Sequence, residues 1–326
     1  VVTASSVTES GKPQLAIYWA ASCGGCEVAF LNLHEQLLAV LERADLFFCP
    51  CILDTKRADV EALPDGALAA TFFDGAIRTD ENEEMAHLLR RKSKLLVAYG
   101  ACASLGGVVS LANLRTREQL LHVVHGDAQV PGPSAELPLA VLAPRARPLG
   151  DVVEVDLAIP GCPPEPHRLA EVVTALLDGK TFPKGAVVGG GRSSVCEECT
   201  LVRTGRSVPA LLRRHLVNPD GKGCLLEQGV VCMGPATRDG CGALCPAVNM
   251  PCTGCYGPPE GVLDQGAKMA SALGTSLAVE DLKGLSEEAV DSAVARKVAA
   301  LPDAAGTFYK YSYGASLLGR LAPPRG

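Results

Sequence analysis

Eight of the chain's fourteen cysteines fall within sixty residues, at Cys196, Cys199, Cys224, Cys232, Cys241, Cys245, Cys252 and Cys255. They are spaced by Gly and Pro rather than by apolar periodicity, as in Gly221-Lys222-Gly223-Cys224, Cys245-Pro246 and Pro251-Cys252-Thr253-Gly254-Cys255. Such a segment is expected to bury little apolar surface of its own, so something other than a hydrophobic core must fold it. Two four-cysteine inorganic centres would do so. A further set, Cys23, Cys26, Cys102 and Cys162, lies in the first half of the chain.

Composition narrows the function classes. A length of 326 residues predicts two domains, and a hydrophobic content of 48% is ample for a core. Aromatics at 4%, a net charge of −6 and the lack of any Lys/Arg run argue against a nucleic-acid partner. The apolar runs stop short of the ~18 residues that a membrane span needs. Val1–Gln14 carries no twin-arginine or signal-peptide pattern, which predicts a cytoplasmic chain. In a long chain of that kind, Cys-x-x-Cys pairs favour metal over disulfides.

Leu15–Ala20, Leu46–Cys51, Leu68–Phe73, Lys94–Tyr99 and Val152–Ile159 read as buried strands. Helical patterns separate them. Phe30, Leu33, Leu37, Leu38 and Leu41 mark one helix. A second runs from Asp80-Glu81 to Arg90-Arg91-Lys92, in the charge order that a helix dipole favours. A third covers about His167–Leu177. The alternation predicts an α/β, doubly wound parallel sheet. Ligands of such sheets sit beyond the carboxyl ends of the strands. Cys23, Cys102 and Cys162 each follow a predicted strand end by two or three residues, with Cys26 one turn later. Thr181–Gly191 reads as a linker, giving a domain over 1–180 and a loop-rich, cysteine-dense domain over 181–326. Helices are expected in the second at about Val208–His215, Gly266–Leu273 and Ser286–Ala300.

Other readings of the thiols compete with this one. A zinc ribbon pairs two Cys-x-x-Cys motifs ~15–20 residues apart. Here Cys196/Cys199 and Cys252/Cys255 start fifty-six residues apart with four cysteines between them. A zinc-stabilised interaction module is nevertheless the rival from another class. A thioredoxin-like role for Cys23/Cys26 leaves Cys102 and Cys162 unexplained. Cys49 and Cys51 occupy alternate, same-face positions of a predicted strand and read as inert packing. His167 and His215 read as solvated or capping residues, and Glu27 as a first-turn carboxylate beside Cys26 whose proton-carrying role stays open.

The motifs Cys23-Gly-Gly-Cys26, Gly100-Ala-Cys102-Ala-Ser-Leu-Gly-Gly107, Pro160-Gly-Cys162-Pro-Pro164 and the Cys196–Cys255 array resemble the small subunit of nickel–iron hydrogenases, from about Leu15 to Gly257. Asp74-Gly-Ala-Ile-Arg78 and Leu111-Ala-Asn-Leu114 look most like the cytoplasmic, non-deazaflavin-reducing (methyl-viologen-reducing) branch. The resemblance implies a flavodoxin-like first domain and three 4Fe–4S clusters. The proximal one would take Cys23, Cys26, Cys102 and Cys162. The medial one would take Cys241, Cys245, Cys252 and Cys255, and the distal one Cys196, Cys199, Cys224 and Cys232. Cys196 stands where periplasmic relatives carry a histidine, and Cys245 adds a fourth thiolate to the medial set; all-thiolate ligation should lower the potentials. The resemblance also implies a partner large subunit that holds the H2-activating nickel–iron centre, and no catalytic residue in this chain. Downstream it implies an iron–sulfur or flavin subunit, of heterodisulfide-reductase type. A deazaflavin- or NAD(P)-linked hydrogenase and the small subunit of respiratory complex I are the neighbouring alternatives.

Overall fold

The computed structural model describes residues 11–126, 139–278, 284–301 and 303–321. The signal-peptide reading of Val1–Gln14 therefore falls largely outside the described residues. The chain divides into two compact units, Val1–Gly190 with Tyr311–Gly326, and Gly191–Lys310.

The first unit is built on strands β1 (Gln14–Trp19), β2 (Asp45–Phe48), β3 (Leu68–Asp74), β5 (Ser93–Tyr99), β7 (Leu157–Ile159) and β8 (Ala186–Val187), all parallel, in the order β2-β1-β3-β5-β7-β8. β4 (Ile77–Thr79) and β6 (Leu142–Arg147) form a separate antiparallel pair. Alternation along the central strands separates two apolar layers. Leu15, Ile17, Phe72, Val97 and Tyr99 face one layer. There they meet helices α1 (Gly25–Leu31), α2 (Glu35–Arg43) and α7 (Pro166–Leu177) through Phe30, Val40, Leu169 and Val173. Ala16, Tyr18, Phe73, Leu96 and Ala98 face the other. Met85, Leu88 and Leu89 of α4 (Asp80–Lys92) and Ala103 of α5 (Gly100–Leu105) cover that layer. α3 (Arg57–Ala62) and α6 (Arg117–His125) complete the helices of this part. The expected doubly wound parallel sheet is thus present, and burial of both faces accounts for its near-continuous apolar strands.

Several local expectations change. The single helix read from Phe30 to Leu41 is two, broken at Asn32–His34, where His34 has φ 51°. β2 ends at Phe48, so Cys49 and Cys51 lie in the turn after it; they do not share a face, Cys49 being buried and Cys51 exposed. Only Leu157–Ile159 of the Val152–Ile159 run is strand, because a 3-10 turn at Leu149–Asp151 precedes it. The stretch read as a linker contributes the edge strand β8.

The second unit contains α8 (Val195–Glu198), α9 (Leu244–Ala247), α10 (Gln265–Ser276), α11 (Glu287–Ala299) and α12 (Ala304–Phe308). Ser286 caps α11 as expected, its hydroxyl accepting from the Ala289 N–H at 3.4 Å. The helix read over Val208–His215 is absent; Val208 and Leu212 instead make single parallel bridges to Leu277 and Val230, and only Arg214–Leu216 turns as 3-10 helix. The unit has more apolar core than its sequence suggested. Val208, Leu211, Leu225, Val230 and Met233 pack with Met269 and Leu273 of α10, and Cys232 and Cys252 are part of that cluster. The returning tail, with α13 (Leu317–Leu321), belongs to the first unit, where the Gly314 N–H donates to Ser110 Oγ at 2.9 Å. Among the described residues, no helix is long and apolar enough to cross a membrane.

One partly buried ion pair fastens α4 to the sheet. Arg90 donates to Asp156 Oδ2 at 2.5 Å and to the Ser93 and Lys94 carbonyls, while the Leu96 N–H donates to the same Asp156 oxygen at 2.8 Å. Asp156→Ala would leave the buried Leu96 N–H without its acceptor and remove the charged partner of Arg90, whose guanidinium keeps the backbone carbonyls. A loss of about 2 kcal/mol from the first unit, read as a lowered urea midpoint, is the expected result.

Candidate metal centres

Three glycine-containing turns at the carboxyl edge of the sheet carry the first four cysteines. Cys23 is exposed in the turn after β1, and Cys26 is buried in the first turn of α1. Cys102 is buried in α5, which opens at Gly100 directly after β5. Cys162 follows β7 by three residues. The Ala101 N–H donates to the Gly161 carbonyl at 2.7 Å, locking the second turn to the third. Tyr99 donates its phenol to the Cys26 carbonyl at 2.8 Å, locking the second turn to the first.

Two glycines here are required by close approach. A Cβ on Gly100, which has φ 84°, would come within 2.5 Å of Cys26 Sγ. One on Gly107 would come within 2.3 Å of Cys102 Sγ. Backbone therefore sits where side chains would otherwise crowd the sulfurs. Burial pushes the Cys102 thiol up to about 12, with the Asp74 charge next and then Cys162 and Cys23. Cys26 is raised further, by burial first, then by Asp74, Glu27 and Cys102. Cys102 thus feels Cys162 and Cys23, and Cys26 feels Cys102.

Two acids back this set, and no sequence motif joins them. Asp74 closes the apolar strand β3 and is fully buried; its Oδ2 accepts from Ser22 Oγ at 2.5 Å. Glu27 is buried beside Cys26. Both Glu27 oxygens and Asp74 Oδ1 are buried without a hydrogen-bond partner among the described residues. Burial, then the Asp74 charge, lifts Glu27 to about 7, and burial raises Asp74 as well. An acid at the end of an otherwise apolar strand was the available signal for Asp74.

In the second unit, Cys196, Cys199, Cys224 and Cys232 line one small cavity, walled otherwise by apolar residues such as Val195, Leu201 and Leu225 and by Arg203. A Cβ on Gly234 would lie 3.0 Å from Cys196 Sγ and 3.7 Å from Cys232 Sγ, so backbone closes this site too. Burial pushes Cys196 up to about 11, against the nearby Arg203 cation. Cys232 is raised by burial and then by Cys252, whose N–H donates to Cys232 Sγ at 3.3 Å. Cys252 is itself pushed up to about 11 by burial, with Cys241 and Cys245 among the charges that add to it. Cys241 stands in a tight turn, Cys245 is exposed on α9, and Cys255 is partly buried. His167 and His215 are exposed and take no part in these sets: His167 pairs with Glu171 at 3.3 Å, and His215 lies in a 3-10 turn.

Among the described residues, no three His, Cys, Asp or Glu side chains converge tightly enough to share one metal ion. A four-iron cluster spreads its four thiolates more widely than a single ion does. Sulfur-only donors, apolar walls and glycine backbone pressed against the sulfurs fit such a group.

A family model described as NADH ubiquinone oxidoreductase, 20 Kd subunit, matches residues 23–176, a span that includes Cys23, Cys26, Cys102 and Cys162. A subunit of the F420-non-reducing hydrogenase of Methanothermobacter marburgensis is 36% identical over 314 residues, covering 94% of this chain and 96% of that one. The iron–sulfur subunit of the F420-non-reducing hydrogenase of Archaeoglobus profundus is 36% identical over 292 residues, covering 82% and 89%. Among solved structures, a chain of the H2-activated NiFeSe hydrogenase of Dm. baculatum superposes with a TM-score of 0.51 at 19% identity, over 77% of this chain and 96% of that chain, which shows the fold.

The raised Glu27 carboxyl gives a pH dependence with a definite sign. Its proton is held to about 7 in the fold against 4.5 ordinarily, so the unfolded chain releases it first as pH rises. Stability falls between those values and levels off above about 7. Glu27→Gln lacks this slope, and its advantage over the parent should grow by at most roughly 3 kcal/mol between pH 5 and pH 8 in urea titrations. Parallel profiles would refute the buried, neutral acid.

Proposed function

Because the chain belongs to the family of F420-non-reducing hydrogenase iron–sulfur subunits, we propose that it is the electron-transfer small subunit of a nickel–iron hydrogenase, with three four-iron clusters. Cys23, Cys26, Cys102 and Cys162 would hold the proximal one, at the end of the chain facing a large subunit that cleaves H2. Cys241, Cys245, Cys252 and Cys255 would hold the medial one, and Cys196, Cys199, Cys224 and Cys232 the distal one, next to the acceptor. The single observation that carries this reading is that three strand ends bring Cys23, Cys102 and Cys162 to one edge of the sheet, where the Cys102 thiol feels Cys162 and Cys23 and itself raises Cys26.

A four-iron cluster held by four thiolates takes up or gives up one electron while its ligands stay in place. The chain's own contribution is to fix and shield the sulfurs. Tyr99, Ala101 and Gly161 keep the three proximal turns in register. Apolar side chains such as Val195, Leu201 and Leu225 wall the site of Cys196 and Cys232. Glu27 and Asp74 place acid groups behind Cys26, where a proton can be held close to the electron path. The downstream partner in this reading is an iron–sulfur or flavin subunit, of heterodisulfide-reductase type. The chain would work in the cytoplasm as one member of a multisubunit assembly, with one cluster in the unit formed by Val1–Gly190 and Tyr311–Gly326 and two in the unit Gly191–Lys310.

The test separates electron transfer from hydrogen activation. In the purified complex, Cys102→Ser should lower H2-dependent viologen reduction at least 100-fold and leave H2/D2 exchange by the large subunit in place. Equal loss of both activities, or neither, would contradict the role assigned to this chain.

A further inference from the structure

The turn that carries Cys241 is held by a carboxylate from the other four-cysteine set of the same unit. Glu198 sits between Cys196 and Cys199, at the end of α8, and is partly buried. Both of its oxygens accept from the Gly240 N–H, each at 3.1 Å. Oε1 also accepts from the Ala243 N–H at 3.1 Å and lies 3.5 Å from Cys241 Sγ. Gly240, Gly242 and Ala243 all have positive φ, at 108°, 68° and 48°. For Ala243 that conformation is uncommon and must be held by its surroundings. The curl turns the N–H groups on either side of Cys241 toward the carboxylate.

We propose that Glu198 is a positioning residue that ties the Cys196/Cys199 turn to the Cys241 turn and sets a low reduction potential for the centre held by Cys241, Cys245, Cys252 and Cys255. The inference rests on the electron-transfer reading above and deepens it. At 3.5 Å the Cys241 thiol can donate to the carboxylate. Ligation of iron removes that proton, and the same contact then sets two negative groups side by side. The Gly240 and Ala243 N–H groups hold the carboxylate there and soften the repulsion without cancelling it. An added electron on the centre increases the repulsion, so the reduced state is disfavoured and the potential falls.

The two roles come apart in two variants of the whole purified complex. Glu198→Gln keeps an amide oxygen that accepts from Gly240 and Ala243 but removes the charge. Its iron and sulfide content should match the parent, while one midpoint potential in an EPR-monitored redox titration moves upward and the others stay. Glu198→Ala should show that upward shift together with faster amide hydrogen exchange at Gly240 and Ala243. A Glu198→Gln complex with every midpoint unchanged would overturn the electrostatic role, and unchanged exchange in Glu198→Ala would overturn the tie. A parent complex with iron for one centre only would overturn the three-centre reading and the potential claim with it, while the exchange comparison still decides the tie.

Discussion

A thiol moved out of water keeps its proton more tightly, and Cys26 and Cys102 in the first unit and Cys196, Cys232 and Cys252 in the second are all displaced that way, with burial the leading cause. A thiolate at any of these positions is therefore unfavourable by itself. Iron bound at these sulfurs would reverse the balance, because a metal cation at bonding distance outweighs the lost hydration. Folding and cluster binding would then share one free energy, more so in the second unit, where Cys232 and Cys252 are themselves part of the apolar core.

The two units meet this requirement differently. In the first, a sheet with two complete apolar layers fixes the strand ends, and the cysteines hang from turns whose positions the core already determines. Gly100 and Gly107 then bring backbone against the sulfurs where no side chain could fit. In the second, short helices and single bridges replace the sheet. Polar ties such as Glu198 to Gly240 and Ala243, and Gln265 to the Gly254 carbonyl at 3.0 Å, do locally what strand pairing does in the first unit.

The parallel sheet was legible in the sequence because its central strands are buried on both faces and read as apolar runs. The positions of Cys23, Cys102 and Cys162 at the strand ends were legible too, because a strand end followed by glycine and cysteine is a local pattern and the sheet topology does the rest. The break at His34 was hidden because the apolar spacing runs straight through it. The false helix at Val208–His215 arose because Val208, Leu211 and Leu212 fit a helical period while serving single bridges and the core around α10. Asp74 had a local sign, an acid ending an apolar strand, but its partner Ser22 lies about fifty residues away; Glu198 acts through a partner about forty residues away and had no local sign. Edge strand β8 is only two residues long, too short for any periodicity.

Everything proposed for this chain turns on twelve of its fourteen cysteines dividing into three cluster-binding fours beside a nickel-containing partner. Iron, acid-labile sulfide, nickel and zinc, counted per chain on anaerobically purified complex, decide whether they do. About twelve irons with matching sulfide are expected, with nickel accompanying a second, larger chain. About four irons, or zinc without sulfide, would refute the division.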